Sequence, residues 1–84
     1  MELYYHLNLI NGYNMNQIGE IQKNSKEKII VSVNEYEGHT YIDLRVYYED
    51  TKTQEYKPTK KGIALSKKNI NEIIVLLKEA SGII

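Results

Sequence analysis

Between Lys28 and Tyr48 apolar and polar residues alternate on both sides of Glu37-Gly38, and this stretch constrains the fold more than any other. A two-residue turn at Glu37-Gly38 pairs residues whose numbers sum to 75. Val33 then faces Ile42, Val31 faces Leu44 and Ile29 faces Val46, every pair aliphatic. The other face pairs Tyr36 with His39, Asn34 with Tyr41, Ser32 with Asp43 and Ile30 with Arg45. A slip of one residue would mix the two sets, so the pattern pins the register. The expected hairpin has an aliphatic core face and an open face that is polar and aromatic.

The rest of the chain reads as additions to this hairpin. Leu3 to Ile10 alternates like a strand, Asn11-Gly12 is a hairpin signal, and Met15 to Gln22 is a candidate returning strand. Its register is poorly specified, because Ile18 and Ile21 have opposite parity. Lys23 to Lys28 and Glu49 to Glu55 read as polar connections. Tyr56 to Leu65 is a further strand, which Pro58 either confines to a sheet edge or delays until Lys61, and Gly62 marks a bulge or a close backbone approach. Ser66 is a suitable N-cap for a helix from about Lys67 to Ala80, ended near Gly82. Its apolar residues Ile70, Ile73, Ile74, Leu76, Leu77 and Ala80 cover roughly 160°, more than the roughly 100° that one core contact needs. The surplus, extended by Ile83 and Ile84, predicts a second partner for the helix. The expectation is one α+β domain over residues 1–84, with an N-terminal hairpin or extra strand over 1–22, an antiparallel sheet over 28–65 and a helix over 66–81.

The chemistry is limited by what is missing. The chain has no cysteine, hence no disulfide framework, thiolate zinc site or cysteine nucleophile. Neither a P-loop nor a Gly-x-Gly-x-x-Gly run occurs, and His6 and His39 lack metal-ligand spacing. His39 and Asp43 share a strand face but stand about 13 Å apart along it, too far for a catalytic dyad. A non-enzymatic protein without cofactor or metal is expected. Its apolar runs are far shorter than the ~20 residues of a bilayer-spanning helix, and its first residues lack the basic region of a signal peptide. A soluble, unexported protein is expected, cytoplasmic or nucleoid-associated in a bacterial or viral setting and nuclear in a eukaryotic one.

Eleven basic residues balance eleven acidic ones, which argues against a general coat for duplex DNA. Positive charge is nevertheless concentrated: from Tyr56 to Asn71 there are five lysines, 57, 60, 61, 67 and 68, and no acidic residue. The aromatic set is eight tyrosines with no Phe and no Trp, a composition that a Lys-, Asn- and Ile-rich sequence also draws from an AT-rich genome. Tyr36, Tyr41, Tyr47 and Arg45 on one sheet face beside this basic edge are what a single strand requires, since bases stack on rings while Lys and Arg track phosphates. His39, flanking the turn, is placed to stack or to touch a phosphate.

The run from Val31 to Arg45, with its Ile42-Asp43-Leu44-Arg45 element, and the run Lys57-Pro58-Thr59-Lys60-Lys61-Gly62-Ile63 together resemble the family of the eukaryotic transcriptional positive cofactor four. The resemblance covers about residues 28–80, with Gln17-Ile18-Gly19 as a candidate for the family's first strand. It implies a curved four-stranded antiparallel sheet, a helix through which two copies pair, and single-stranded or unwound DNA held on each sheet. It also implies roles: Tyr36 as the stacking aromatic at the hairpin tip, Arg45 as the strand arginine, Tyr48 as the second aromatic, and Lys57, Lys60 and Lys61 as phosphate contacts. Two departures stand out. Glu37 and His39 flank the tip glycine where the family often has lysines, and Tyr48 falls on the aliphatic side, so that either a bulge re-aims it or Tyr47 takes its place.

The leading expectation is therefore a homodimeric, non-catalytic single-strand DNA binder serving transcription or DNA maintenance, with transcription or replication proteins as further partners. The alternatives are a protein-interaction dimer of the same fold with little nucleic-acid affinity, and an RNA-binding variant.

Overall fold

Every strand of the sheet is bonded to its neighbour in sequence. In the computed structural model, which describes residues 16–84, the strands β1 (Asn16–Gln22), β2 (Glu27–Tyr36), β3 (His39–Glu49) and β4 (Tyr56–Ser66) form one antiparallel sheet in chain order. Helix α1 (Lys67–Ser81) follows. The strand expected over Leu3 to Ile10 and the turn at Asn11-Gly12 lie outside the described residues.

The central hairpin has the register read from its sequence, from Tyr36 opposite His39 to Ile29 opposite Val46, and extends it to Glu27 opposite Tyr48. Glu37 at φ 50° and Gly38 at φ 81° make the turn. Two positive φ values give it the twist that suits paired strands. Where β1 pairs with β2, Gln17 stands opposite Ser32 and Gly19 opposite Val31, so Ile18 is an extra residue between them. This one-residue bulge resolves the parity conflict between Ile18 and Ile21, since it resets the alternation and lets Ile21 join Ile29 on the aliphatic face.

A second bulge interrupts β4. Arg45 pairs with Gly62 and Tyr47 with Pro58, which leaves Thr59, Lys60 and Lys61 opposite Val46 alone. Pro58 sits in an edge strand, as its missing N–H requires. The β3–β4 loop is shaped by Asp50, whose Oδ1 accepts from the backbone N–H of Lys52 at 2.8 Å.

Burial departs from expectation. The polar face is the more deeply buried one: Ile30, Ser32, Asn34, Asp43, Arg45 and Tyr47 are buried, whereas Ile29, Val31, Val33, Ile42, Leu44 and Val46 are half-buried. The buried polar groups satisfy one another, with Asn34 donating to Ser32 Oγ at 3.0 Å and Arg45 paired to Asp43. Among the described residues, α1 covers the aliphatic face at one end, where its first turn brings Ile70, with Asn71 just after it, over Val33, Ile42 and Leu65 around a groove of about 420 Å³.

Beyond that turn α1 has no buried residue. Ile70 therefore belongs to the packing against the chain's own sheet, Ile73 is half-buried, and Ile74, Val75, Leu76, Leu77, Ile83 and Ile84 are exposed. Ser66 occupies the N-cap with extended backbone but makes no side-chain capping bond, and Gly82 ends the helix at φ −75°, without using glycine's access to positive φ.

Candidate nucleic-acid interface

Strand alternation fixes which aromatic residues share a face. β3 has no bulge of its own, so His39, Tyr41, Asp43, Arg45 and Tyr47 point to one side and Tyr48 to the other. Tyr36, opposite His39, and Tyr56, opposite Glu49, fall on the same side as Tyr47. Four of the five described tyrosines thus form a band across one face of the sheet.

Their accessibility differs. Tyr36 and Tyr41 are half-buried and His39 is exposed. Tyr47 retains only 7 % of its surface, and Tyr48 is exposed on the aliphatic face. The choice between Tyr47 and Tyr48 as second aromatic therefore sets a ring on the right face but buried against a ring that is exposed on the wrong one. Burial, and then the charge of Asp43, pushes the Tyr41 hydroxyl up to about 12. The Tyr36 hydroxyl is also raised, by burial first and then by the Glu37 carboxylate beside it.

The cations are not equivalent. Lys57 Nζ lies 2.8 Å from Asp50 Oδ2. That contact raises the lysine's pKa and holds the Asp50 carboxyl below its usual range. Lys60 and Lys61 project from the β4 bulge and are exposed. Lys28, which the sequence did not single out, lies 2.7 Å from Glu20 and 4.2 Å from the centre of the Tyr56 ring, so it supports the band by a cation–π contact.

Arg45 is the least expected. Its side chain is buried with that of Asp43, 1 % exposed in each case. The two form a bidentate pair, Nε to Oδ2 at 3.1 Å and Nη2 to Oδ1 at 2.9 Å. Burial raises the Asp43 carboxyl despite the opposing pull of Arg45. The third donor, Nη1, reaches across to the Thr59 carbonyl at 2.9 Å. Gly62 makes room for this crossing, since a Cβ there would lie 2.7 Å from Arg45 Cζ. The close approach expected at Gly62 is thus a guanidinium lying over a backbone that carries no side chain.

With this geometry in place, comparison with known proteins is informative. The family model described as Transcriptional Coactivator p15 (PC4) matches residues 23–76, more than half of the chain. The chain belongs to the PC4 family. Two crystal forms of BPSL1147, a PC4 homolog from Burkholderia pseudomallei K96243, share its fold. The tetragonal form has a TM-score of 0.73 at 28 % identity, over 80 % of this chain and 97 % of that one. The orthorhombic form has a TM-score of 0.74 at 28 % identity, over 81 % and 90 %. No curated protein matches the sequence.

The PC4 match spans β2 through most of α1 and so contains the tyrosine band, the buried pair and both ends of the bulge. Sequence reasoning passed over Thr59, Tyr56, Lys28 and the Asp43–Arg45 pair. One signal was available: Asp and Arg two apart in a strand share a face, and the glycine across from the arginine leaves room beside it. Among the described residues there is no cluster suited to a metal ion, and no helix is long and apolar enough to cross a membrane.

Proposed function

We propose that this PC4-family chain is a non-catalytic protein that binds single-stranded or unwound DNA as a homodimer, acting in transcription or DNA maintenance. The observation that carries the reading is the band of Tyr36, Tyr41, Tyr47 and Tyr56 on one sheet face, beside a bulge that presents Lys60 and Lys61. Bases stack against the half-buried rings of Tyr36 and Tyr41, with His39 at the tip, and phosphates run along Lys60 and Lys61. Rings accept any base, so sequence specificity is low. The uncovered apolar side of α1 supports pairing with a second copy through Ile73, Ile74, Leu76 and Leu77, with Val75 and part of the aliphatic sheet face joining them.

The test is fluorescence anisotropy with labelled oligo-dT, with unlabelled duplex DNA and matched RNA as competitors. Single-stranded DNA is expected to bind and duplex to compete poorly. Binding to duplex with none to single strands would sink the reading, and better competition by RNA would transfer it to RNA. A second reading, a dimeric interaction module with little nucleic-acid affinity, draws support from the ion-paired state of Lys57 and the burial of Arg45. Lys60→Glu with Lys61→Glu separates the two, because only the first reading expects lost oligonucleotide retention by an intact dimer.

A further inference from the structure

We infer that Arg45 is a positioning residue: it bolts the Thr59–Lys61 bulge of β4 to β3, aims Lys60 and Lys61 at the strand, and touches no phosphate itself. This rests on the nucleic-acid reading above and differs from the phosphate-tracking role that the sequence pattern suggests for Arg45 on its sheet face.

A bulge of this size leaves backbone groups without ladder partners. Here they are met by side chains. The Thr59 carbonyl accepts from Arg45 Nη1 at 2.9 Å. The Thr59 hydroxyl donates to the Val46 carbonyl at 2.7 Å and accepts from the Lys61 backbone N–H at 3.1 Å. The two lysines thus stand on a loop tied down by Thr59 on one side and by a guanidinium beneath it. That guanidinium is rigid, being forked onto Asp43 and lying over Gly62.

The same geometry keeps Arg45 from the ligand. The residue is 2 % exposed, and its charge is already neutralised by Asp43. Turning outward to a phosphate would break a bidentate pair and leave Asp43 ionised and buried, a loss large enough to disfavour the move. Lys60 and Lys61, by contrast, are exposed.

Two variants test this without adding charge. Arg45→Lys keeps a cation beside Asp43 but cannot bond Asp43 and Thr59 together, and Thr59→Val removes the hydroxyl alone. Each is expected to weaken oligo-dT binding by roughly tenfold, about what one hydrogen bond contributes, and to shift the backbone amide NMR signals of Lys60 and Lys61 in the DNA-free protein. In a background carrying Lys60→Ser and Lys61→Ser, Arg45→Lys is expected to have no further effect. A loss that persists in full there shows that Arg45 meets the phosphate directly and overturns the inference. Unmoved Lys60 and Lys61 amides in both variants overturn it as well. If Arg45→Lys fails to fold by circular dichroism, Thr59→Val decides by the same two readouts. A wild type that binds no oligonucleotide overturns the nucleic-acid reading, and the aiming role with it, while the amide shifts still show separately whether Arg45 holds the bulge.

Discussion

Glu37 is held at φ 50° in the tip of the central hairpin, a backbone conformation that asparagine tolerates and glutamate does not favour. Glu37→Asn is therefore expected to stabilise the fold by about 1 kcal/mol, seen as a higher Tm. The same substitution removes a carboxylate beside the Tyr36 hydroxyl and should tighten oligonucleotide binding, whereas an unchanged affinity would place the tip outside the path of the strand. Tyr41 gives a prediction for alkaline pH. Its hydroxyl titrates at about 12 in the fold against 10.0 for an unperturbed tyrosine. Between those values the unfolded chain has released this proton and the folded chain has not, so stability falls as pH rises through the window. Tyr41→Phe should flatten that part of a plot of Tm against pH, leaving the contributions of Tyr36, Lys28 and Lys57, which are also raised and have the same sign.

Helix α1 is an element that the monomer, as described, uses chiefly near its start, where Ile70 meets the sheet and Ile73 is half-buried. Leu76→Glu combined with Leu77→Glu places charge where the uncovered stripe is widest, and is expected to give a folded monomer by sedimentation equilibrium, with the sheet's circular dichroism retained. A variant that stays dimeric would move the contact to the aliphatic sheet face. At this scale much of the molecule could be read in advance. The register of β2 and β3 follows from parity around Glu37-Gly38, and the helix limits follow from Ser66 and Gly82. What period-two reasoning misses is where the period breaks. Ile18 and the Lys60-Lys61 pair sit in bulges, and an inserted residue looks like noise in a one-dimensional pattern. The fate of Arg45 was hidden for a different reason. Its burial depends on Asp43 in the same strand together with Gly62 and Thr59 from the next one, so the polar face looked open when each strand was read alone. The candidate site was correspondingly half legible: the tyrosine band follows from alternation, but which cations stand exposed does not.

For the molecule as a whole, a net charge of zero means that the proposed affinity for DNA would depend on a few placed cations and not on a broad field. Lys57 is held by Asp50 and Arg45 by Asp43, so the proposed reading assigns the phosphate contacts on each sheet to the exposed Lys60 and Lys61. Each phosphate contact on a single strand contributes about 0.7 to the slope of log affinity against log salt. A titration is therefore expected to give a slope of magnitude about 1.4 per bound strand; a value near 3 would show that Arg45 and Lys57 also meet phosphates. The neighbour-to-neighbour strand order has a consequence of another kind, for how the chain reaches its fold. The β2–β3 hairpin closes through two residues, and β1 and β4 each join it by a short connection, so no pairing waits on the closure of a long loop. The sheet is thus expected to form quickly for an all-antiparallel structure, in a first-order step whose rate does not depend on protein concentration. Any concentration dependence in refolding would then belong to the meeting of two finished sheets.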